Sequence, residues 1–391
     1  MARRKAAWRR VLTARFLRWW LACQAIRLVP PIGRWLGFFP KSVDMIEAAD
    51  NVLADDHGLT APLDHDEEKS FLELCRPHDS AAPGVDPFNG APAGRRTALY
   101  DDAWIDISTG SVLLPRKQRT VLVRGQRANW NATSIRFARP KVRVEGRAMG
   151  LLNTGNYFHL ILENGARVID LMESGLVMDA PLTLVKPPDR GEVERAMMRG
   201  LEELYPALTI VRFSDGTLAL PDQALCHFPR DEYWEWPPLD RNQAHKLGQV
   251  FETSYGAIAA DGPSSLYLTR DGAKLRTALN TDELDQTMTD NGFEPFTATD
   301  SNHPAQISRF RSADIVVAIH GAGLTNLVFC RPGTKVIEIF PSNFVKSPYW
   351  QIAAKLGLVY RPVLGGAGDY DQRFEVDIAA LKAALDQIGD S

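Results

Sequence analysis

The chain has 391 residues, 45% hydrophobic and 24% charged, a globular composition that argues against a disordered, collagen-like or coiled-coil protein. Its length predicts two domains of ordinary size. Four cysteines, Cys23, Cys75, Cys226 and Cys330, are scattered without metal-ligand spacing, which argues against a disulfide framework and for a reducing compartment.

The net charge of −3 is unevenly placed. Residues 1–43 carry ten Lys/Arg and no acid, leaving 35 basic against 48 acidic residues in the remainder. Apolar residues at 8, 11, 12, 16, 19, 20, 23 and 26 follow helical spacing, and the segment holds Trp8, Trp19, Trp20 and Trp35. Arg18, Gln24 and Arg27 interrupt it and Pro30-Pro31 break it, so it is not expected to span a bilayer. It is expected to lie on an anionic membrane surface, with aromatic rings in the headgroup layer. The alternative is a tail, or an arm packed on the body. No apolar run followed by a small-residue cleavage site predicts a secretory signal. The acidic balance of the rest argues against nucleic acid as a partner.

Residues 41–95 are acidic and rich in turn residues, and read as linker and loop. Residues 97–145 alternate apolar and polar over short runs, predicting a hairpin-rich cap of strands. From Asn156 the pattern changes to alternating strands and helices. A helix is predicted over 159–172, strands over 183–186 and 208–212, and a helix over 191–205 between them. The stretch Trp234-Glu-Trp-Pro-Pro238 reads as an irregular boundary, followed by a helix over 241–260. Strand-helix-strand repetition then runs from about Ser265 to residue 364, and a terminal helix covers 377–388.

The richest stretch is 314–341. Residues 315–319 are continuously apolar and β-branched-rich, as in a parallel strand covered on both faces. His320-Gly321-Ala322-Gly323 turns the chain, a short helix is predicted over 324–330, Pro332-Gly333 stops it, and 336–340 form the next strand. A helix opening from a glycine turn presents free N–H groups and a positive dipole end to an anion. Gly321-x-Gly323 lacks the third glycine of the dinucleotide fingerprint, since Asn326 stands there, and no Gly-Lys-Ser/Thr makes it a P-loop. His320 at the strand's carboxyl end, and Thr325 and Asn326 in the first helical turn, add polar groups that can reach a ligand. Glu338 in the following strand is an acid that can hold ribose hydroxyls. Together these predict a nucleotide at a sheet edge.

His320-Gly-Ala-Gly-Leu-Thr-Asn326, with Pro332-Gly333 and Val336-Ile-Glu338, resembles the signature of glycosyltransferase family 61, which has bacterial capsule and surface-polysaccharide members. Asn156-Tyr157-Phe158-His159 with Glu163 resembles the family's Asn-Tyr-Phe/Tyr-His-Trp motif, with Leu160 where tryptophan is usual. Leu266-Tyr-Leu-Thr-Arg270 with Arg276 and Asn280, then Gln306 with Ala313-Asp314, and finally Tyr349-Trp350, Ala353 and Gly357 are similar in order to further family segments. The resemblance covers roughly residues 150–361 and little of 1–149.

The resemblance implies an α/β fold of GT-B type, two Rossmann-like domains facing a cleft. The chain order suggests a basic segment over 1–43, an acceptor-side domain over 44–240 and a nucleotide-sugar domain over 241–391. Sugar transfer needs a stabilised leaving diphosphate and a deprotonated acceptor hydroxyl. Arg270 and Arg276 are suited to the diphosphate through bidentate contact. With His320, Gly321, Ala322, Gly323, Thr325, Asn326 and Glu338 they form the expected donor site. His159 is the expected base, with Glu163 four residues on to orient it or to act as base itself. Asn156 and Tyr157 are placed on the acceptor side. Neither a metal nor a cofactor is expected. The expected partners are a nucleotide sugar and a glycan or glycolipid acceptor, and the expected reaction is an inverting transfer in surface-polysaccharide assembly. The expected location is cytoplasmic, with peripheral contact at the inner membrane face. The alternatives are a nicotinamide-dependent oxidoreductase, from the strand-Gly-x-Gly-helix pattern, and a non-catalytic glycan-binding scaffold.

Overall fold

A computed structural model of the chain describes residues 41–44, 49–58, 75, 93–116, 119–122, 139–228 and 239–389. The basic segment up to residue 40 and the 234–238 boundary lie outside the described residues.

The first unit is built on one ten-stranded sheet. Its strands are β1 (Lys41–Asp44), β2 (Asn51–Gly58), β3 (Ala93–Asp101), β4 (Trp104–Asp106), β5 (Val112–Leu114), β6 (Arg119–Leu122), β7 (Lys141–Gly150), β8 (Leu182–Lys186), β9 (Leu208–Arg212) and β10 (Leu218–Phe228). They run in the order β1-β6-β5-β4-β10-β7-β8-β9, with β3 on β10 and β2 on β3. The pairs β10/β7, β7/β8 and β8/β9 are parallel. The pairs linking β2, β3, β4, β5 and β6 are antiparallel. This half is therefore a mixed sheet, parallel across β10, β7, β8 and β9 and largely antiparallel beyond them. The reason is local: β4, β5 and β6 are joined by turns of a few residues, which connect only antiparallel neighbours. The sequence around β2, read as loop, contributes a strand after all. Its partner β3 lies about forty residues away, and no local period announces that pairing.

Between β7 and β8 the chain forms a π-helix, His159–Ala166, that runs directly into α1 (Arg167–Glu173). Between β8 and β9 lies α2 (Glu192–Leu204). Both crossovers return the chain to a parallel neighbour. Helix α3 (Arg241–Tyr255) opens on a capping box between Asp240 and Gln243 and stops at Gly256, five residues sooner than periodicity suggested, where φ is 87°.

The second unit is a fully parallel sheet of β11 (Ser265–Leu268), β12 (Glu294–Phe296), β13 (Ile315–Ile319), β14 (Lys335–Phe340) and β15 (Val359–Leu364), in the order β12-β11-β13-β14-β15. Helices α4 (Thr281–Asp290), α5 (His303–Ser312), α6 (Pro348–Leu356) and α7 (Ile378–Gly389) cover its faces. A 3-10 helix, Ala322–Phe329, follows β13. Val316, Val317 and Ala318 are all fully buried, which is why β13 reads as an unbroken apolar run. One hydrophobic core spans both sheets: Leu184 and Met197 from the first unit join Val316 and Leu324 from the second, along with Phe251 of α3.

The first unit also buries an ion pair. Arg139 Nη1 donates to Asp106 Oδ2 at 2.8 Å, and Arg139 Nε donates to the Gly216 carbonyl at 2.7 Å. Both side chains are at most 1% exposed. Asp106→Asn keeps the shape and strands a buried guanidinium charge. It is expected to lower stability by about 3 kcal/mol, read as a lower urea midpoint with an unchanged m-value.

Candidate functional site

In sequence terms the second sheet has the order 2-1-3-4-5, so the direction of winding reverses between β11 and β13. Open α/β sheets bind ligands at the carboxyl ends of the two strands that flank such a switch point. Arg270 follows β11 and His320 follows β13, so the topology brings together two segments fifty residues apart. Arg270 Nη1 and Arg276 Nε each donate to the His320 carbonyl at 3.1 Å, and Arg270 Nη2 donates to the Leu275 carbonyl at 2.7 Å. Glycine at 321 leaves room for the guanidinium: a Cβ there would sit 1.7 Å from Arg270 Nη1 and push it aside.

Arg276 holds a φ of 56°, a left-handed conformation that costs a non-glycine residue about 1 kcal/mol or more. It is held there by its own amide donating to the Asp371 carbonyl at 3.0 Å and by its Nη1 donating to Gln372 Oε1 at 3.3 Å. Among the described residues no carboxylate forms an ion pair with either arginine. Burial, and then the Arg276 charge, push the Arg270 guanidinium down to about 10. Burial likewise lowers Arg276. Two like charges held close on neutral carbonyls form a site prepared for an anion.

The 3-10 helix opens at this point, two residues sooner than expected. Leu324 N–H donates to the Gly321 carbonyl at 3.0 Å. The preceding amides of Ala322 and Gly323 take no backbone acceptor among the described residues. Thr325 and Asn326, expected to reach a ligand, are fully buried instead. Asn326 Nδ2 donates to Gln306 Oε1 at 2.9 Å and to the Gly323 carbonyl at 3.0 Å. Its Oδ1 accepts from the Tyr157 hydroxyl at 2.7 Å. Asn326 is thus a brace that fixes the glycine turn. Tyr157, placed on the acceptor side by the sequence, docks on the turn from the other unit. Its hydroxyl also lies 2.8 Å from His303 Nε2. Burial raises the Tyr157 hydroxyl well above its ordinary value and lowers His303 to about 4, so the bridge is uncharged at neutral pH. Asn156 is exposed and shapes its own turn, its Oδ1 accepting from Phe158 N–H at 2.9 Å.

Glu338 does not face the cleft. It is fully buried, which corrects the expectation that it holds ribose hydroxyls. Its Oε1 lies 2.5 Å from His320 Nδ1, and its Oε2 accepts from the Tyr360 hydroxyl at 2.5 Å. The His320 ring sits among Phe340, Tyr349 and Phe344, with centroids 5.1, 5.4 and 5.9 Å away. Burial, with Arg276, Arg270 and Lys346 nearby, holds this imidazole well below its ordinary range.

His159 opens the π-helix, a local form often found at functional sites. Its Nδ1 lies 2.9 Å from Glu163 Oε1, with the histidine side chain 34% and the glutamate side chain 2% exposed. The helix is pinned by Asn164, whose amide exchanges two 2.9 Å hydrogen bonds with the backbone of Leu152. A run of ring contacts, His159 to Phe158, Phe158 to Tyr349 and Tyr349 to His320, links this histidine to the arginine pair across the two units.

A cavity of about 450 Å³ opens between the units, lined by Tyr157, Leu160, Arg190, Asp300, Ala322 and Gly323 among others. A larger hollow of about 650 Å³ lies at the amino ends of β11, β13 and β14, around Asp314, Arg331 and Lys335. The switch-point rule favours the smaller one, which is lined by Ala322 and Gly323 of the glycine turn. Two of its residues escaped the sequence reading. Asp300, from the second unit, accepts from the Glu192 and Val193 amides at 2.8 and 3.2 Å and so caps α2 of the first unit. Gly191 gives it room, since a Cβ there would meet the carboxylate at 2.7 Å. Arg190 projects beside it, donating to Asn153 Oδ1 at 2.5 Å. Neither residue carries a local signal, because each acts on a distant part of the chain.

Paired arginines and an open helix start at a switch point are features of the class of α/β proteins that bind phosphorylated ligands there. Comparison with known proteins narrows the class. Residues 157–337 match the family model of glycosyltransferase 61. It is 34% identical over 102 residues to an alpha-1,3-arabinosyltransferase of Oryza sativa subsp. japonica, covering 25% of this chain and 17% of that protein. It is 42% identical over 67 residues to a beta-1,2-xylosyltransferase of the same organism, covering 17% of this chain and 14% of that protein. The chain thus spans about a sixth of the length of the curated relatives it matches.

Proposed function

We infer that this protein is a glycosyltransferase that moves a sugar from a nucleotide-sugar donor to a glycan or glycolipid acceptor in surface-polysaccharide biosynthesis. The observation that carries this reading is the arginine pair: Arg270 and Arg276, without a carboxylate partner among the described residues, converge on the His320 carbonyl beside the open amides of Ala322 and Gly323. A donor diphosphate placed there meets two guanidiniums and a helix start as the leaving group gains charge. These donors serve without a metal, so transfer is expected to persist in a chelator. The two units act as the lobes of a GT-B enzyme, with 241–391 on the donor side and 44–240 on the acceptor side. His159 takes the acceptor proton and attack inverts the anomeric centre. The exposed imidazole and buried Glu163 support base and positioning roles respectively. The aromatic basic segment 1–43 holds the enzyme at an anionic membrane surface. A dinucleotide reading is weakened because Glu338 is buried away from any ribose.

The relatives named for arabinose and xylose transfer make nucleotide-linked pentoses the first donors to try. A thermal-shift screen of pentose and hexose nucleotide sugars, with and without chelator, is expected to find one that raises Tm by several degrees at about a hundred times its Kd. A flat response to every donor would overturn the reading.

A further inference from the structure

His320 is poised for a task narrower than packing. Its Nδ1 is held by Glu338 at 2.5 Å, and Glu338 is held in turn by Tyr360 at 2.5 Å. Read with the carboxylate as acceptor of both bonds, the proton of the imidazole sits on Nδ1. A buried partner fixes a histidine tautomer in this way at metal and catalytic sites. Nε2 is then left with a lone pair and no proton. The side chain is 9% exposed, and no described residue hydrogen-bonds Nε2. The same residue offers its backbone carbonyl to Arg270 and Arg276. The ring therefore stands beside the arginine pair with one nitrogen not hydrogen-bonded among the described residues, and that nitrogen only accepts.

An accepting nitrogen beside a diphosphate is repelled by phosphate oxygens and matched by a hydroxyl. We propose that His320 is a specificity-determining residue whose Nε2 accepts a hydrogen bond from a donor hydroxyl, with Glu338 and Tyr360 as positioning residues that fix its tautomer. The proposal rests on the donor reading above. It separates the roles of two histidines. The aromatic box of Phe340, Tyr349 and Phe344 and the cations around His320 resist its protonation, so it reads hydroxyls and does not carry the proton. His159, more exposed and beside a carboxylate, is left to do that. The proposal also gives buried Glu338 an effect on the donor without contact, transmitted through one imidazole.

The hydroxyl belongs either to the ribose or to the transferred sugar. Calorimetry on the full chain distinguishes these, using UDP, GDP and CDP, their 2′-deoxy and 3′-deoxy forms, and sugar conjugates of the binding nucleotide with and without single hydroxyls on the sugar. Wild type is expected to lose roughly tenfold in affinity when the recognised hydroxyl is removed. A deoxyribose effect assigns the ribose and a deoxysugar effect assigns the sugar. In Glu338→Gln the amide can face Nδ1 with either end, so the tautomer is released and the discrimination is expected to fall below twofold. Discrimination that persists in folded Glu338→Gln, or that is absent from wild type, overturns the proposal. If Glu338→Gln does not fold, nitrogen-15 histidine spectra of wild type decide, with the His320 signals assigned by their loss in His320→Gln. An unprotonated Nε2 that shifts on nucleotide binding supports the assignment, and an Nε2–H overturns it. Failure of every diphosphate and conjugate to bind wild type removes the donor reading itself, a result distinct from binding without discrimination.

Discussion

Arg270→Leu is expected to lower kcat/KM by about a thousandfold while leaving Tm unchanged or raised. The first half follows from its place. Arg270 reaches the switch point from β11, and removing one preorganised charge from a developing anion costs about 10²–10³ in rate, with weaker donor binding added to that. The second half follows from what the guanidinium does in the empty protein. It is buried beside Arg276, and its folded value of about 10 lies below the ordinary guanidinium range. Unfolding therefore restores proton affinity. Linkage then makes stability rise with pH from about 10 up to the ordinary guanidinium range, so below that window the charge costs stability and its removal returns it. The hydrogen bonds lost do not reverse this balance. The His320 carbonyl keeps Arg276 Nε, and only the Leu275 carbonyl loses its arginine donor. The measurement is kcat/KM and Tm on the same preparation. A donor that raises wild-type Tm is expected to leave the variant unmoved. A variant that melts several degrees lower and turns over normally would mark Arg270 as structural and sink the anion-site argument.

That contrast shows what the sequence carries and what it hides. The apolar run of β13, the glycine turn and the strand before Arg270 are legible because each is a local pattern: four buried positions in a row, two glycines just past a strand end, a short apolar run with a charge soon after it. Their meeting is not local. Arg270 reaches His320 only because β11 and β13 are neighbours in the sheet, and β-α-β order leaves that choice open. The same gap misplaced Glu338. An acid in a buried strand looks free to bind a ligand until Tyr360 of β15 and His320 close around it. Tyr157 and Asn326 are 169 residues apart, so the hydrogen bond that ties the 156–159 motif to the glycine turn has no local signal. In the first unit the signal itself is weak. β7 has no regular alternation of buried and exposed positions, and β10 takes β3, β4 and β7 as partners, so neither gives a clean period. The π-helix is likewise silent, since its side chains read as an ordinary amphipathic helix.

His159→Ala is expected to reduce kcat by about a thousandfold with little change in donor affinity, the pattern of an interaction made in the transition state. The separation of functions rests on geometry. His159 belongs to the first unit and reaches the arginine pair only through the rings of Phe158 and Tyr349, so its loss leaves the donor contacts intact. Glu163→Gln is expected to cost less, about tenfold to a hundredfold. Its side chain is buried 2.9 Å from the imidazole, a placement that suits positioning rather than substrate contact. The pH profile separates base from scaffold. Wild type is expected to show an acidic limb in kcat, because only neutral imidazole accepts a proton, and that limb is expected to flatten in His159→Ala. Added imidazole is expected to restore part of the rate to the alanine variant, which a packing defect would not allow. The outcome that would falsify the base assignment is a folded His159→Ala enzyme with wild-type kcat and an unchanged acidic limb. The proton would then have to leave by another group at the cleft, and the exposed imidazole with its buried carboxylate would be a brace for the π-helix alone.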